Sequence, residues 1–155
     1  MAERYSDYAG GPIPESNPLE DLWIPFPDKY IKQKPGKANA SYVNHGVVRQ
    51  RLLDVLGPYY WTIEKEIYDA EGKLTGCVGT LGVKIKDEWI TVQGAGDCEH
   101  DQGTNGANLK HAESDAFKRA AMNLGLGLHL WCGDEYFLYN KTVNESQKAE
   151  ENPGT

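Results

Sequence analysis

The sequence predicts an α+β fold: an antiparallel three-stranded β-meander packed against a long helix, with a preceding short helix and an extended N-terminal arm. Three observations carry this expectation. Residues 59–97 hold three β-prone runs separated by short turn signals. Residues 107–124 form an alanine-rich run with apolar side chains at helical spacing. The first forty residues hold six of the eight prolines, which disfavours a long helix there.

The elements follow in order. The arm, residues 1–40, has Pro12, Pro14, Pro18, Pro25, Pro27 and Pro35, and offers Leu22, Trp23, Ile24 and Phe26 as its anchor, on its own core or on a neighbouring subunit. Lys29, Lys32, Lys34 and Lys37 close it. From Asn44, an N-cap residue type, Val48, Leu52, Val55 and Leu56 recur at helical spacing until Gly57-Pro58 stops the run. The polar side of this helix carries Arg49, Gln50, Arg51 and Asp54. Strands are expected at Tyr59–Asp69, Lys73–Lys86 and Glu88–Asp97, joined by Ala70-Glu71-Gly72 and by a tight turn at Asp87. In the middle strand Leu81, Val83 and Ile85 alternate with Thr80, Lys84 and Lys86, giving one apolar side and one polar side with two lysines. Gly76, Gly79 and Gly82 in that strand suit a bulge or the close approach of another backbone.

The principal helix is expected over Ala107–Leu124, with Leu109, Ala112, Ala116, Ala120 and Leu124 on one side and Gly125 and Gly127 ending it. Its alanines allow it to lie close to the sheet, whose other face is then free. Trp61, Trp89 and Trp131 are expected to pack in the core rather than to stack on nucleobases. Residues 41–138 thus form the folded domain, and 139–155 a polar, acidic, disordered tail.

Composition narrows function by exclusion. No apolar run approaches the roughly 20 residues that span a bilayer, and the start lacks an apolar secretion segment, so a cytoplasmic protein without a membrane partner is expected. Cys77, Cys98 and Cys132 are far apart with no CxxC, so neither a disulfide framework nor a zinc knuckle is indicated. No phosphate loop, nucleophile elbow, HExxH or dinucleotide fingerprint is found. No metal, cofactor or enzymatic activity is expected. The competing catalytic reading is a metal-dependent nuclease built on Asp97, Glu99 and Asp101. The net charge of -7 speaks against nucleic acid, and residues 1–40, 41–132 and 133–155 carry -1, -3 and -3, so no segment is basic overall. A nucleic-acid function must rest on a local cluster of cations.

One cluster stands out: Ala112-Glu113-Ser114-Asp115-Ala116-Phe117-Lys118-Arg119-Ala120-Ala121-Met122-Asn123-Leu124-Gly125. It resembles the signature helix of the Rad fifty-two family of single-strand annealing proteins, where an Asp, two residues, Lys-Arg-Ala and a closing Gly recur. Tyr42-Val43, Arg51-Leu52, Val55-Leu56-Gly57 and Trp61 resemble that family's first helix and the strand after it, and Pro25-Phe26-Pro27 the arm of its bacterial and phage members. The resemblance runs from Pro25 to Trp131, and places this chain with the short phage or bacterial type that has the annealing domain only.

The resemblance implies subunits assembled side by side into a homo-oligomeric ring. Single-stranded DNA would lie in an outer groove with its bases exposed, so that a complementary strand can test pairing. Function would be ATP-independent binding and annealing of single strands in homologous recombination and repair, in the cytoplasm of a bacterial or phage-infected cell. A single-strand-binding protein or an exonuclease would accompany it. Lys118 and Arg119 take the principal DNA-contacting positions, and Arg49, Arg51, Lys110, Lys84, Lys86, Lys32, Lys34 and Lys37 complete the candidate set. Repetition around a ring would multiply a weak local charge into a continuous track. The competing account of Lys118 and Arg119 is ion pairing to Asp115, three and four residues earlier, but exposed pairs contribute only about 0.3–0.5 kcal/mol.

The chain departs from the family in three places. Val47 stands where eukaryotic members carry an arginine, for which Arg49 or Arg51 can substitute; Met122 stands where a further arginine is frequent. The acidic Gly96–Asp101 loop replaces a lysine-containing one associated with a second DNA site. The eukaryotic C-terminal recruitment region is not expected. The alternative within binding is a DNA-end-protecting single-strand binder without annealing.

Overall fold

Asn44 starts the first sizeable helix as its residue type suggests: its side-chain oxygen accepts from the Gly46 N–H at 2.8 Å, and Gly57, at φ +78°, closes the other end. The structure is a computed structural model describing residues 17–36 and 40–139. In chain order it contains α1 (Leu19–Leu22), a 3-10 turn (Asp28–Tyr30), β1 (Lys32–Gln33), β2 (Ser41–Tyr42), α2 (His45–Leu56) and β3 (Tyr60–Tyr68). There follow β4 (Leu74–Ile85), β5 (Glu88–Asp97), α3 (Asn105–Met122), α4 (His129–Cys132) and a second 3-10 turn (Gly133–Glu135). The expected tail beyond residue 139 and the arm before residue 17 lie outside the described residues.

β3, β4 and β5 form the antiparallel meander in sequence order. The β4–β5 turn has left-handed backbone at Lys86 (φ +50°) and Asp87 (φ +65°), the twist that a tight hairpin needs. The register is continuous from Gly76 opposite Asp97 to Ile85 opposite Glu88, whereas β3 is irregular between Ile63 and Lys65. A second shift, between Ile67 and Tyr68, leaves out Thr75 of β4 beside Gly76, where a Cβ would also stand 2.8 Å from the Gly96 carbonyl oxygen, as expected of a bulge and a close backbone approach; Gly79 and Gly82 serve another purpose. A Cβ at Gly79 would stand 2.2 Å from the Trp61 ring and one at Gly82 2.0 Å from the Tyr60 ring, so these glycines seat aromatic side chains of β3 rather than another backbone.

α3 lies across the face made by Leu81, Val83 and Ile85, all buried, as their alternation predicts. Its alanines are half of the reason for the close approach. The other half is on β5, where a Cβ at Gly94 would stand 2.2 Å from the Ala116 carbonyl oxygen and one at Gly96 2.2 Å from that of Ala112. Phe117 fills the centre, with the Tyr59 and Trp61 rings at 5.4 and 5.2 Å. Fully burying such a side chain contributes about 1.5–3 kcal/mol.

The described part of the arm is more structured than an extended segment. It makes one helical turn and a short strand, and β1 pairs with β2 through Lys32 opposite Tyr42 and Gln33 opposite Ser41. Its anchor lies on its own chain: Trp23 Nε1 donates to the Leu124 carbonyl at 3.0 Å, and the Phe26 N–H donates to His129 Nε2 at 3.0 Å. Leu22, Trp23 and Phe26 are buried, while Ile24 is exposed. The tryptophans divide. Trp61 packs on Phe117, but Trp89 and Trp131 are 54% and 53% exposed, against the expectation of core positions. Trp89 stands opposite Lys84 on the outer sheet face, its ring 5.5 Å from Tyr60, and no layer covers it among the described residues.

Candidate nucleic-acid interface

α3 starts on a side-chain cap, Thr104 Oγ1 accepting from the Ala107 N–H at 3.1 Å, and runs unbroken to Met122. That register buries Ala112, Ala116, Phe117, Ala120 and Ala121 against the sheet and leaves Lys118 and Arg119 half-buried at its border. The β1–β2 hairpin stands beside them. Between hairpin and helix lie two adjoining depressions, of about 250 Å³ and about 520 Å³, both bordered by Lys34, Tyr42, Val43, Asp115, Lys118 and Arg119. The larger one adds Lys110, His45 and His111. They make one groove with Lys118 and Arg119 at its middle.

The two central cations differ. Arg119 makes the internal pair considered above, its Nε donating to Asp115 Oδ2 at 3.1 Å, and its guanidinium lies over the Trp131 ring at 4.7 Å. Lys118 makes no salt bridge among the described residues; its Nζ donates a long hydrogen bond, 3.4 Å, to the Val43 carbonyl. Burial, opposed by the nearby Asp115 carboxylate and reinforced by Lys34 and Arg119, holds its pKa below that of an ordinary lysine. An ammonium in that state gains when an anion arrives.

The arginines of α2 are placed otherwise. Arg49 Nη2 donates to Glu113 Oε1 at 2.7 Å, its Nη1 to Tyr59 Oη at 3.3 Å and its Nε to His45 Nδ1 at 3.1 Å, and its guanidinium covers Phe117 at 3.9 Å. Arg51 donates to the Ile24 carbonyl and lies over the Phe26 ring at 4.3 Å, tying the arm to α2, and burial lowers its pKa. Neither borders the groove. Lys84 and Lys86 are exposed in and beside the β4–β5 turn, and Lys32 is exposed on β1; none of the three borders it either. Lys37 lies outside the described residues. Of the candidate set, the structure brings together Lys34, Lys110, Lys118 and Arg119.

Three residues of the groove lie outside the candidate set. His45 begins α2 and has its Nδ1 occupied by Arg49; burial and the neighbouring Arg49 and Lys118 charges lower its pKa. His111 lies one residue after Lys110 in the larger depression. Trp131, expected in the core, borders the smaller depression instead, beside Leu130, which packs partly buried against the core.

The acidic loop divides: Asp97 and Glu99 border the larger depression, whereas Asp101 is committed elsewhere. Asp101 accepts from Lys73 Nζ at 2.9 Å, the Gly103 N–H at 3.0 Å and Asn108 Nδ2 at 3.2 Å, and the Lys73 contact first, then the other two, lowers its pKa to about 2. Asn108, buried, also donates to the Leu74 carbonyl at 3.1 Å and accepts from the Gln102 N–H at 2.7 Å, locking the loop to β4. Among the described residues no three His, Cys, Asp or Glu converge as a set of metal ligands, so Asp97, Glu99 and Asp101 do not assemble the nuclease centre weighed above.

Comparison with known proteins meets this geometry. Residues 19–152 match the Rad52/22 family of double-strand break repair proteins, a span that includes α3, the meander and the hairpin. The chain belongs to this family. A relative, the single-stranded DNA-binding protein DdrA of Deinococcus deserti, is 32% identical over 123 residues, covering 71% of this chain and 54% of the relative. The chain therefore spans about half the length of that protein. Among the described residues of this Rad52/22 family member, no helix is long and apolar enough to cross a membrane.

Proposed function

We propose that the chain binds single-stranded DNA in the groove between the β1–β2 hairpin and α3, and anneals complementary strands without nucleotide hydrolysis or a cofactor. The observation that carries this reading is the placement of Lys118. It is a half-buried ammonium without a salt bridge among the described residues, flanked by Lys34 and Arg119 in a continuous depression. A phosphate there replaces the lost hydration of the ammonium and relieves its repulsion by the neighbouring cations. Family membership and the printed function of DdrA support the same ligand. The net charge is outweighed locally, since Lys34, Lys110, Lys118 and Arg119 gather in a groove whose acids are Asp97, Glu99 and Asp115.

Assembly into a homo-oligomeric ring joins these short grooves into a track, with a single-strand-binding protein or exonuclease as its companion in the cell. The annealing is performed by the bases; the protein extends the strand and screens its charge. The test mixes complementary labelled strands with the protein in EDTA without ATP, while light scattering gives the mass. Faster pairing by a species of several subunits is expected. Binding without faster pairing would make the protein an end-protecting binder, and strand loss that appears only with Mg²⁺ would make it a nuclease.

A further inference from the structure

We propose that the smaller depression is a nucleobase pocket, into which one base of the bound strand turns beside Trp131 while Lys118 and Arg119 hold the flanking phosphates. This rests on the reading of the groove as a single-strand track. The two depressions share their cations and differ in their walls. The larger adds mostly polar and charged residues, including His45, Lys110, His111 and Ser114. The smaller adds Val48, Leu126, Leu130 and Trp131 to the shared Val43. The shared cations can hold phosphates at the rim, but the wall of Val43, Val48, Leu126, Leu130 and Trp131 offers a phosphate no hydrogen bond, so the group that lies against that wall must present apolar surface of its own. In a single strand that group is the base.

Size and rim agree. At about 250 Å³ the recess lies below the roughly 300–1,000 Å³ of sites that take whole drug-sized ligands, which leaves room for a single heterocycle. At its rim Trp131 is 53% exposed, with the Arg119 guanidinium 4.7 Å from its ring centre. Indole rings and guanidinium planes are the surfaces on which unpaired bases stack. Both are held in place: Arg119 by Asp115 at 3.1 Å, and Trp131 by its backbone N–H donating to the Leu128 carbonyl at 3.0 Å and by the neighbouring Leu130, which packs against the core. One base per chain is thus turned inward and the others stay outward for pairing, which amends the expectation that all bases are exposed. The pocket also sets the strand in register with the protein.

The experiment compares a short oligothymidylate with an abasic oligomer of equal length, by fluorescence anisotropy over a salt series, for the wild-type protein, Trp131→Ala and Trp131→Phe. The wild type should bind the abasic strand about tenfold more weakly with the same salt slope. Trp131→Ala should erase most of that gap, and Trp131→Phe should retain most of it. Equal affinity of the wild type for both strands would overturn the pocket while leaving the phosphate track standing. A gap that survives Trp131→Ala would likewise remove the base from this recess. Failure of both strands to bind would instead overturn the reading of the groove.

Discussion

Two pairs of cations, Arg49 with Arg51 on α2 and Lys118 with Arg119 on α3, look alike in the sequence and meet opposite surroundings. The α2 pair is consumed by the fold: Arg49 ends on Glu113, Tyr59 and the Phe117 ring, Arg51 on the Ile24 carbonyl and the Phe26 ring. The α3 pair borders an open groove, and only Arg119 of the two has a carboxylate in ion-pair range among the described residues. A cation closed in by several partners of its own chain works for stability, and one that borders an open groove, such as Lys118 with a long hydrogen bond to the Val43 carbonyl, is available to a ligand. Proximity in sequence to other cations does not separate the two cases.

That contrast can be broken by exchange of effects. Removing both α3 cations, Lys118→Ala with Arg119→Ala, should lower affinity for single-stranded DNA on the order of a hundredfold at low salt, about tenfold for each phosphate contact, with the unfolding midpoint little changed. Anisotropy titration and urea unfolding on one preparation check both halves. Arg49→Met should do the reverse, costing about 2 kcal/mol in urea unfolding because Glu113, largely buried, loses its partner, while the folded protein keeps its affinity. Arg51→Ala should cost less, about 1 kcal/mol, from a lost hydrogen bond and cation–π contact, and should loosen the arm in hydrogen exchange.

The smallest effect is with pH. Because the Lys118 pKa lies below that of an ordinary lysine and bound phosphate raises it again, binding takes up a proton in the alkaline range. Affinity should therefore fall as pH rises, starting below the range where exposed lysines titrate. Lys118→Arg should remove the early part of that fall, since a guanidinium keeps its proton. An unchanged profile would mean that Lys118 does not face the phosphate.

Much of the fold was legible because its signals are local. The Asn44 cap and the Gly57 stop, the β-prone runs and the turn at Asp87 each lie within a few residues of the structure they specify. α3 runs over Asn105–Met122 rather than the expected 107–124: it starts early because Thr104 caps it a turn before the apolar pattern begins, and it ends two residues early, with Asn123 as its C-cap. What was not legible depends on distant partners. Arg49 and Glu113 are 64 residues apart, and Arg51 and Ile24 27 apart, so nothing near either arginine announces its fate. The hairpin of β1 with β2, the exposure of Trp89 and Trp131, and the fit of Gly94 and Gly96 under α3 are likewise set by tertiary packing. The candidate site was half legible: the helix motif pointed to Lys118 and Arg119, and of the wider candidate set the groove gathers Lys34 and Lys110, while Arg49 and Arg51 are taken up by the packing of α2.

The most direct test of that division is the slope of log affinity against log salt for an oligothymidylate, measured on the wild type, Lys118→Ala and Arg49→Met. The account predicts that Lys118→Ala makes the slope shallower by about 0.7, the value of one single-strand phosphate contact, and that Arg49→Met leaves it unchanged. A slope that shifts with Arg49 and not with Lys118 would contradict it, and would move the DNA track from α3 to α2.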